Sequence, residues 1–296
     1  MMSDLLLDQV RTLLAVVDEQ SFDRAAAVLH VTPSAVSQRV KALEQRMGRV
    51  LILRTKPVRL TDSGQVLVRF ARQLTRLEAD TRAELGLADA TGPVTLPIAV
   101  NADSLATWFL AALAAVPTEP PIAFDLRSDD QDHTAALLRE GLVMAAVTSA
   151  PHPVQGCTSS RLGRMRYRAV ASPVFFARWL ADRPLATALA AAPALLFDRK
   201  DDLQDRFLRG LTRRAPNVGV RHFVPSSESF ADAVVAGLGW GLVPELQLQL
   251  RDGLVDLAPD RPVDVPLYWQ QWKLDSPALA TVADAVSREA ARALRR

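Results

Sequence analysis

Between residues 20 and 47 the apolar positions recur at helical spacing in two short blocks, and the polar positions among them are small, hydrogen-bonding or cationic. Phe22, Ala25, Ala26 and Leu29 fall at i, i+3, i+4 and i+7, the buried stripe of a first helix. Its alanines let a second helix cross closely. Thr32 offers an N-cap hydroxyl and Pro33 a first helical residue whose missing N–H costs nothing, so a second helix starts there. Along it Val36, Val40, Leu43 and Met47 share one sector, while Ser34, Ser37, Gln38, Lys41 and Gln45 lie opposite.

Two brief β-prone runs follow, 50–53 and 58–60, separated by Arg54-Thr55-Lys56-Pro57; this pattern predicts a hairpin with a basic tip. Charge sharpens the picture. From Arg24 to Thr61 eight arginines and lysines stand against the single acid Glu44, on a chain whose net charge is only +2. Such a local excess is what phosphate neutralisation requires. The pattern predicts a helix-turn-helix with a wing. Ser34, Ser37 and Gln38 are expected to reach base edges in a major groove, on a helix opened by Thr32 and Pro33, with Arg39, Lys41, Arg54, Lys56 and Arg59 as further DNA contacts.

Thr61 opens a long amphipathic segment in which Leu67, Phe70, Leu74, Leu77, Thr81 and Leu85 recur every three or four residues. That spacing is close to a two-helix seam, so the helix is expected to dimerise with a second copy through Leu67, Phe70, Leu74, Leu77 and Leu85. Thr91-Gly92-Pro93 reads as a hinge. Beyond it short β runs alternate with helices, from 94–100 through 241–246, which predicts α/β units with largely parallel sheets. Pro97, inside the first of these strands, conflicts with a central position.

The segment 21–65 is similar to the N-terminal domain of LysR-type transcriptional regulators. AVNADSLATWFL (99–110), LLFD (195–198), SSESF (226–230) and LYWQQW (267–272) resemble its basic-amino-acid-sensing branch, the LysG/ArgP type. The resemblance implies a multi-domain α/β protein: a winged helix-turn-helix over 1–61, a linker and dimerisation helix with its hinge over 62–92, and a two-lobed periplasmic-binding-protein-like effector domain over 93–296. Its lobes would comprise 93–164 with 265–296, and 165–264. It further implies a homodimer or tetramer on double-stranded operator DNA, RNA polymerase as a partner, and L-lysine or L-arginine as effector, with no cofactor and no metal. The implied output is activation of a basic-amino-acid exporter gene.

Ligands of open α/β sheets sit beyond the carboxyl ends of strands, where helix N-termini present free N–H groups. Asn101-Ala102-Asp103-Ser104 and Ser226-Ser227-Glu228-Ser229 have that setting. A basic amino acid needs an anion cradle, for which Ser104 and Ser128 are candidates, and acidic acceptors, for which Asp103, Asp129, Asp130, Asp198 and Glu228 are candidates. Asp103, Asp198 and Glu228 lead because they fall in the matching stretches. Thr148, at a strand end, is expected on the pocket floor.

Other functional classes find less material. Four scattered histidines and no HExxH, GxSxG or phosphate-loop motif leave an enzyme without a readable site. Cys157 is the only cysteine, which excludes an internal disulfide. The first ten residues lack a signal-peptide pattern, and no uncharged run reaches the ~20 residues of a membrane span, so a cytoplasmic protein is expected. An origin- or nucleoid-binding inhibitor of replication initiation would use the winged domain alone and leave about two hundred residues without a task. A regulator of the same family with another small-molecule effector is the remaining alternative.

Overall fold

A computed structural model describes residues 7–85, 94–119, 121–129, 131–181, 183–212 and 219–296. Its N-terminal unit packs helix α1 (Leu7–Asp18) against α2 (Phe22–Val28) and α3 (Pro33–Met47). Capping explains the boundaries. Thr32 Oγ1 accepts from the Ala35 amide at 3.2 Å, Pro33 occupies the first turn of α3, and Gly48 ends that helix in the left-handed region. Val36, Val40 and Leu43 meet Val10, Leu13, Val16, Ala25 and Ala26 in one core. Met47, expected on the same face, lies past the end of that core and is exposed.

The wing is a shorter ladder than its apolar runs predict: β1 (Ile52–Leu53) pairs antiparallel with β2 (Arg59–Leu60). Glu44, the one acid of the basic segment, is spent inside the protein. Its Oε1 accepts from the amides of Leu51 at 2.8 Å and Ile52 at 3.3 Å, tying the wing to α3. Thr61 donates to Val50 O and accepts from the Gly64 amide, capping α4 (Asp62–Glu84). A Cβ on Gly64 would stand 2.0 Å from Leu51 O, so only glycine lets α4 start this close to the wing.

The predicted seam of α4 divides. Leu67 is already buried in its own domain's core, Phe70 packs against that core, and Leu74 shares a narrow cleft with Leu7, Val10 and Leu14 of α1. Leu77 and Leu85, 41% and 65% exposed, stay uncovered. The correction has a simple cause: α1 occupies the N-terminal half of the stripe, so only its C-terminal half is open to another chain. The expected hinge at 91–93 lies outside the described residues.

The second unit begins with β3 (Val94–Asn101), α5 (Ala102–Ser104), a π-helical turn (Leu105–Phe109), α6 (Leu110–Ala114), β4 (Ile122–Asp129), α7 (Gln131–Arg139) and β5 (Ala145–Thr148). A long strand, β6 (Cys157–Ala171), leads into α8 (Pro173–Trp179), α9 (Leu185–Ala191), β7 (Ala194–Leu196), α10 (Leu203–Leu211), β8 (Arg221–Phe223), α11 (Ser227–Val235), β9 (Gly241–Pro244), α12 (Glu245–Leu248) and β10 (Val255–Asp256). The chain returns through β11 (Val263–Trp272) and ends in α13 (Pro277–Ala293). β3 lies between β4 and β5, parallel to both, whereas β11 pairs antiparallel with β5 and β6, and β6 also takes β9 and β10 antiparallel. The sheet is therefore mixed and not largely parallel, because two long return strands join the lobes. β7 and β8 form a separate parallel pair.

Pro97 is central after all. Its carbonyl accepts from the Met144 amide at 2.8 Å, and strand pairing with β5 starts only at Ile98, so its missing N–H interrupts no rung. One apolar core runs through both lobes, with Phe109 stacked on Trp269 at 6.4 Å and Phe207 against Trp240 at 6.0 Å. Cys157 is buried in it, and burial pushes its thiol up to about 11, so it stays protonated and inert at neutral pH. No helix among the described residues is long and apolar enough to cross a membrane.

Candidate functional site

On the N-terminal unit, Ser34, Gln38, Lys41 and Gln45 of α3 are exposed, while Ser37 and Arg39 are half-buried. The wing folds onto the same face. Arg54 donates from Nη1 to Ser37 Oγ at 3.2 Å, and its guanidinium lies 5.3 Å from the centroid of the Phe22 ring. One expected phosphate contact thus braces one expected base reader. Lys56 and Arg59 are exposed beyond it. Amide and hydroxyl groups suited to base edges are here flanked by free-standing cations suited to phosphates.

The second unit holds a cleft of about 390 Å³ between its lobes. Asn101 and Asp103, at the end of β3, line it from one side; Tyr167 on β6 and Ser227 at the start of α11 line it from the other. Asp103 accepts from the Tyr167 hydroxyl at 2.6 Å on Oδ2 and from the Ser227 hydroxyl on Oδ1. Gln247 of α12 in turn donates to Ser227 Oγ at 2.7 Å, which leaves the Ser227 proton for the carboxylate. Burial pushes the Asp103 carboxyl above its ordinary range, and the Ser227 and Tyr167 hydroxyls pull it partly back. Asn101 is 2% exposed, and neither polar atom of its side-chain amide has a partner among the described residues. A carboxylate held by two hydroxyls beside an unpartnered buried amide can accept from a donor-rich group.

Other expected site residues fall elsewhere. Asp198 Oδ1 accepts from the amides of Lys200 and Asp201, closing its own turn, and Asp198 is absent from the cleft lining. Glu228 is exposed in the first turn of α11, Ser226 caps that helix through the Ser229 amide, and neither lines the cleft. Ser128, opposite Val100 on β4, is exposed and is not among the lining residues. Ser104 is buried behind Asp103, its hydroxyl without a partner among the described residues, and Thr148 is buried beside Ser149, which reaches the cleft in its place. Asp130 and the side chain of Asp129 lie outside what is described.

Sequence reasoning missed Tyr167, Asp201, Asp202, Gln204 and Arg206, all of which line the cleft. Asp201 braces the loop by accepting from the amides of Phe197 and Leu203, and Asp202 pairs with Arg206 at 3.0 Å. The spacing of four between Asp202 and Arg206 at the start of a helix was the readable signal.

Comparison with known proteins gives the family. Residues 7–65 match the bacterial regulatory helix-turn-helix proteins of the LysR family, and residues 94–291 match the LysR substrate-binding domain. The chain is 46% identical to the lysine export transcriptional regulatory protein LysG of Corynebacterium glutamicum, over 97% of this chain and 98% of that protein. It is similar to the crystal structure of ArgP from Mycobacterium tuberculosis, with a TM-score of 0.89 at 48% identity over 97% of this chain and 98% of that one. Full-length C. glutamicum LysG with bound effector Arg gives 0.82 at 41% identity, over 99% of this chain and 100% of that one. A winged reading head, a linker helix and a two-lobed cleft, in this order and with these matches, mean that the chain belongs to the LysR family of transcriptional regulators.

Proposed function

We propose that this regulator senses a basic amino acid, L-arginine or L-lysine, in the interlobe cleft and adjusts transcription of a basic-amino-acid exporter gene accordingly. The observation that carries this reading is Asp103, a carboxylate at the base of a cleft shared by both lobes, beside an unpaired buried amide, in a chain so similar to a LysG that holds arginine. Residues 1–61 serve as the DNA-binding domain, with Ser34, Ser37 and Gln38 reading bases and Arg39, Lys41, Lys56 and Arg59 positioning the duplex. Residues 62–92 form the linker through which two copies associate, and 93–296 the effector domain. The protein acts in the cytoplasm, on operator DNA, with RNA polymerase as the downstream partner.

Ligand can alter transcription only if two arrangements of the oligomer bind it with different affinity. Calorimetry of the full-length protein against each of the twenty amino acids tests the effector, and operator binding with and without the hit tests the coupling. Heat only from arginine, lysine or both is the expected result. Heat from a neutral or acidic amino acid instead would retire the basic-amino-acid reading.

A further inference from the structure

Gln204 is a buried polar residue to which neither the DNA face nor the Asp103 network gives a task. It stands in the first turn of α10, is 2% exposed, and lines the cleft from the lobe opposite Asn101 and Asp103. Its amide oxygen has no donor among the described residues. A buried carbonyl oxygen left unpaired is costly, so a ligand that brings a donor to it supplies what the described residues do not. The backbone that leads into it is braced: the amide of the preceding Leu203 donates to Asp201 Oδ1 at 3.0 Å, and the other oxygen of Asp201 takes the Phe197 amide.

The candidate effectors differ in how many donors they bring. An ammonium has three rotatable N–H groups on one atom, which a carboxylate and a neighbouring acceptor can satisfy. A guanidinium has five in one plane, and a carboxylate takes two of them, leaving an outer edge that needs fixed acceptors elsewhere. Asp202 is already engaged by Arg206. Gln204 lines the lobe opposite Asp103, and its Oε1 is an unpaired acceptor among the described residues. We infer that Gln204 is the specificity residue that separates arginine from lysine, its side-chain carbonyl accepting the guanidinium N–H groups that Asp103 leaves over. The inference rests on the reading that this cleft binds a basic amino acid.

Titration calorimetry of the full-length protein at pH 8 with L-arginine, L-lysine and the neutral urea analogue L-citrulline tests it. In the parent, arginine or lysine must bind; a parent that binds neither overturns the cleft reading and this inference with it. Gln204→Leu should weaken arginine by about tenfold or more and lysine by less than about threefold, because only the guanidinium loses an acceptor. Gln204→Glu keeps the size of the residue and strengthens its acceptor, so arginine should bind at least as tightly as to the parent while citrulline gains nothing. Equal losses of both ligands in Gln204→Leu, or weakened arginine in Gln204→Glu with an unchanged melting profile, would show that Gln204 acts otherwise. The second variant keeps the test decisive if the leucine protein does not fold.

Discussion

Arg72 of α4 donates to the carbonyl of Gly141, in the first effector lobe, at 2.6 Å, while another nitrogen of its guanidinium donates to Asp18 of α1 at 2.5 Å. A single side chain on the linker helix therefore touches the DNA-binding unit and the ligand-binding unit at once. The fit around it is close: Gly141 has φ +70°, and a Cβ there would stand 2.8 Å from the Arg69 Cα. Hydrogen bonds from a charged donor contribute about 1.5–3 kcal/mol, less here because Asp18 is half exposed.

Arg72→Ala is expected to loosen the linker helix from the first lobe without unfolding either unit. Amide hydrogen exchange at residues 138–144 should accelerate by about tenfold, the equivalent of about 1.4 kcal/mol, and ligand should lose influence over DNA affinity. Unchanged exchange there would mean that the contact contributes nothing.

The exposed faces of α3 and the wing give a paired test on DNA. Gln38→Ala should reduce the ratio of specific to random binding, at about 1–3 kcal/mol for a good base contact. Lys56→Ala should weaken both kinds of DNA together and lower the salt slope by about one unit. A Gln38→Ala protein with its specificity ratio intact would move the reader to another surface.

Self-association is expected to depend on the C-terminal half of the linker stripe. Leu77→Lys with Leu85→Lys places charge at two positions already open to water, so thermal stability should hold while sedimentation shows dissociation. Leu67→Lys, by contrast, buries a charge in the N-terminal core and should unfold that unit. An intact oligomer in the double variant would place the interface elsewhere.

Asp103 carries the pH dependence. Its carboxyl is raised above the usual value in the fold, chiefly by burial, so its ionised form is favoured in the unfolded chain. Its contribution to stability is therefore fully present below about pH 4 and is lost as pH rises through the raised folded value. Asp103→Asn should gain melting temperature relative to the parent as pH rises above about 4, while losing at least about tenfold in arginine affinity. Parent affinity for arginine should climb over the same interval. Lys200, Asp201, Asp202, Arg206 and Tyr167 line the same cleft and persist in the variant, so the difference between the two proteins isolates Asp103. A variant whose affinity still climbs with the parent's slope would remove Asp103 from the role.

Much of the N-terminal unit was legible because its signals are local: Thr32 and Pro33 mark a helix start wherever they occur, and Val36, Val40 and Leu43 declare one face. The first half of β6 was not legible. Residues 157–166 carry Thr, Ser and Arg at most positions, and their partner β11 is about a hundred residues away, with Cys157 opposite Trp272. The register of that pairing is what turns Tyr167 toward Asp103. In the cleft, the acid in the matching stretch, Asp198, closes its turn, and its neighbours Asp201 and Asp202 reach the cavity. Three acids within five residues are equivalent in sequence, and only the backbone path chooses among them.

The pairing of β6 with β11 also dictates what kind of motion the effector domain can make. Ten residue pairs bind the two crossing strands into one ribbon, whose register shifts between Leu267 and Tyr268. Nearly every rung joins residues on the same side of the crossing, so the lobes can turn about it without breaking the ladder. Paired strands are twisted by nature, so a rotation along the ribbon keeps its rungs whole. On the proposed reading, an amino acid lodged between the lobes sets the pitch of this ribbon, and a rotation is what it can pass to the linker helix.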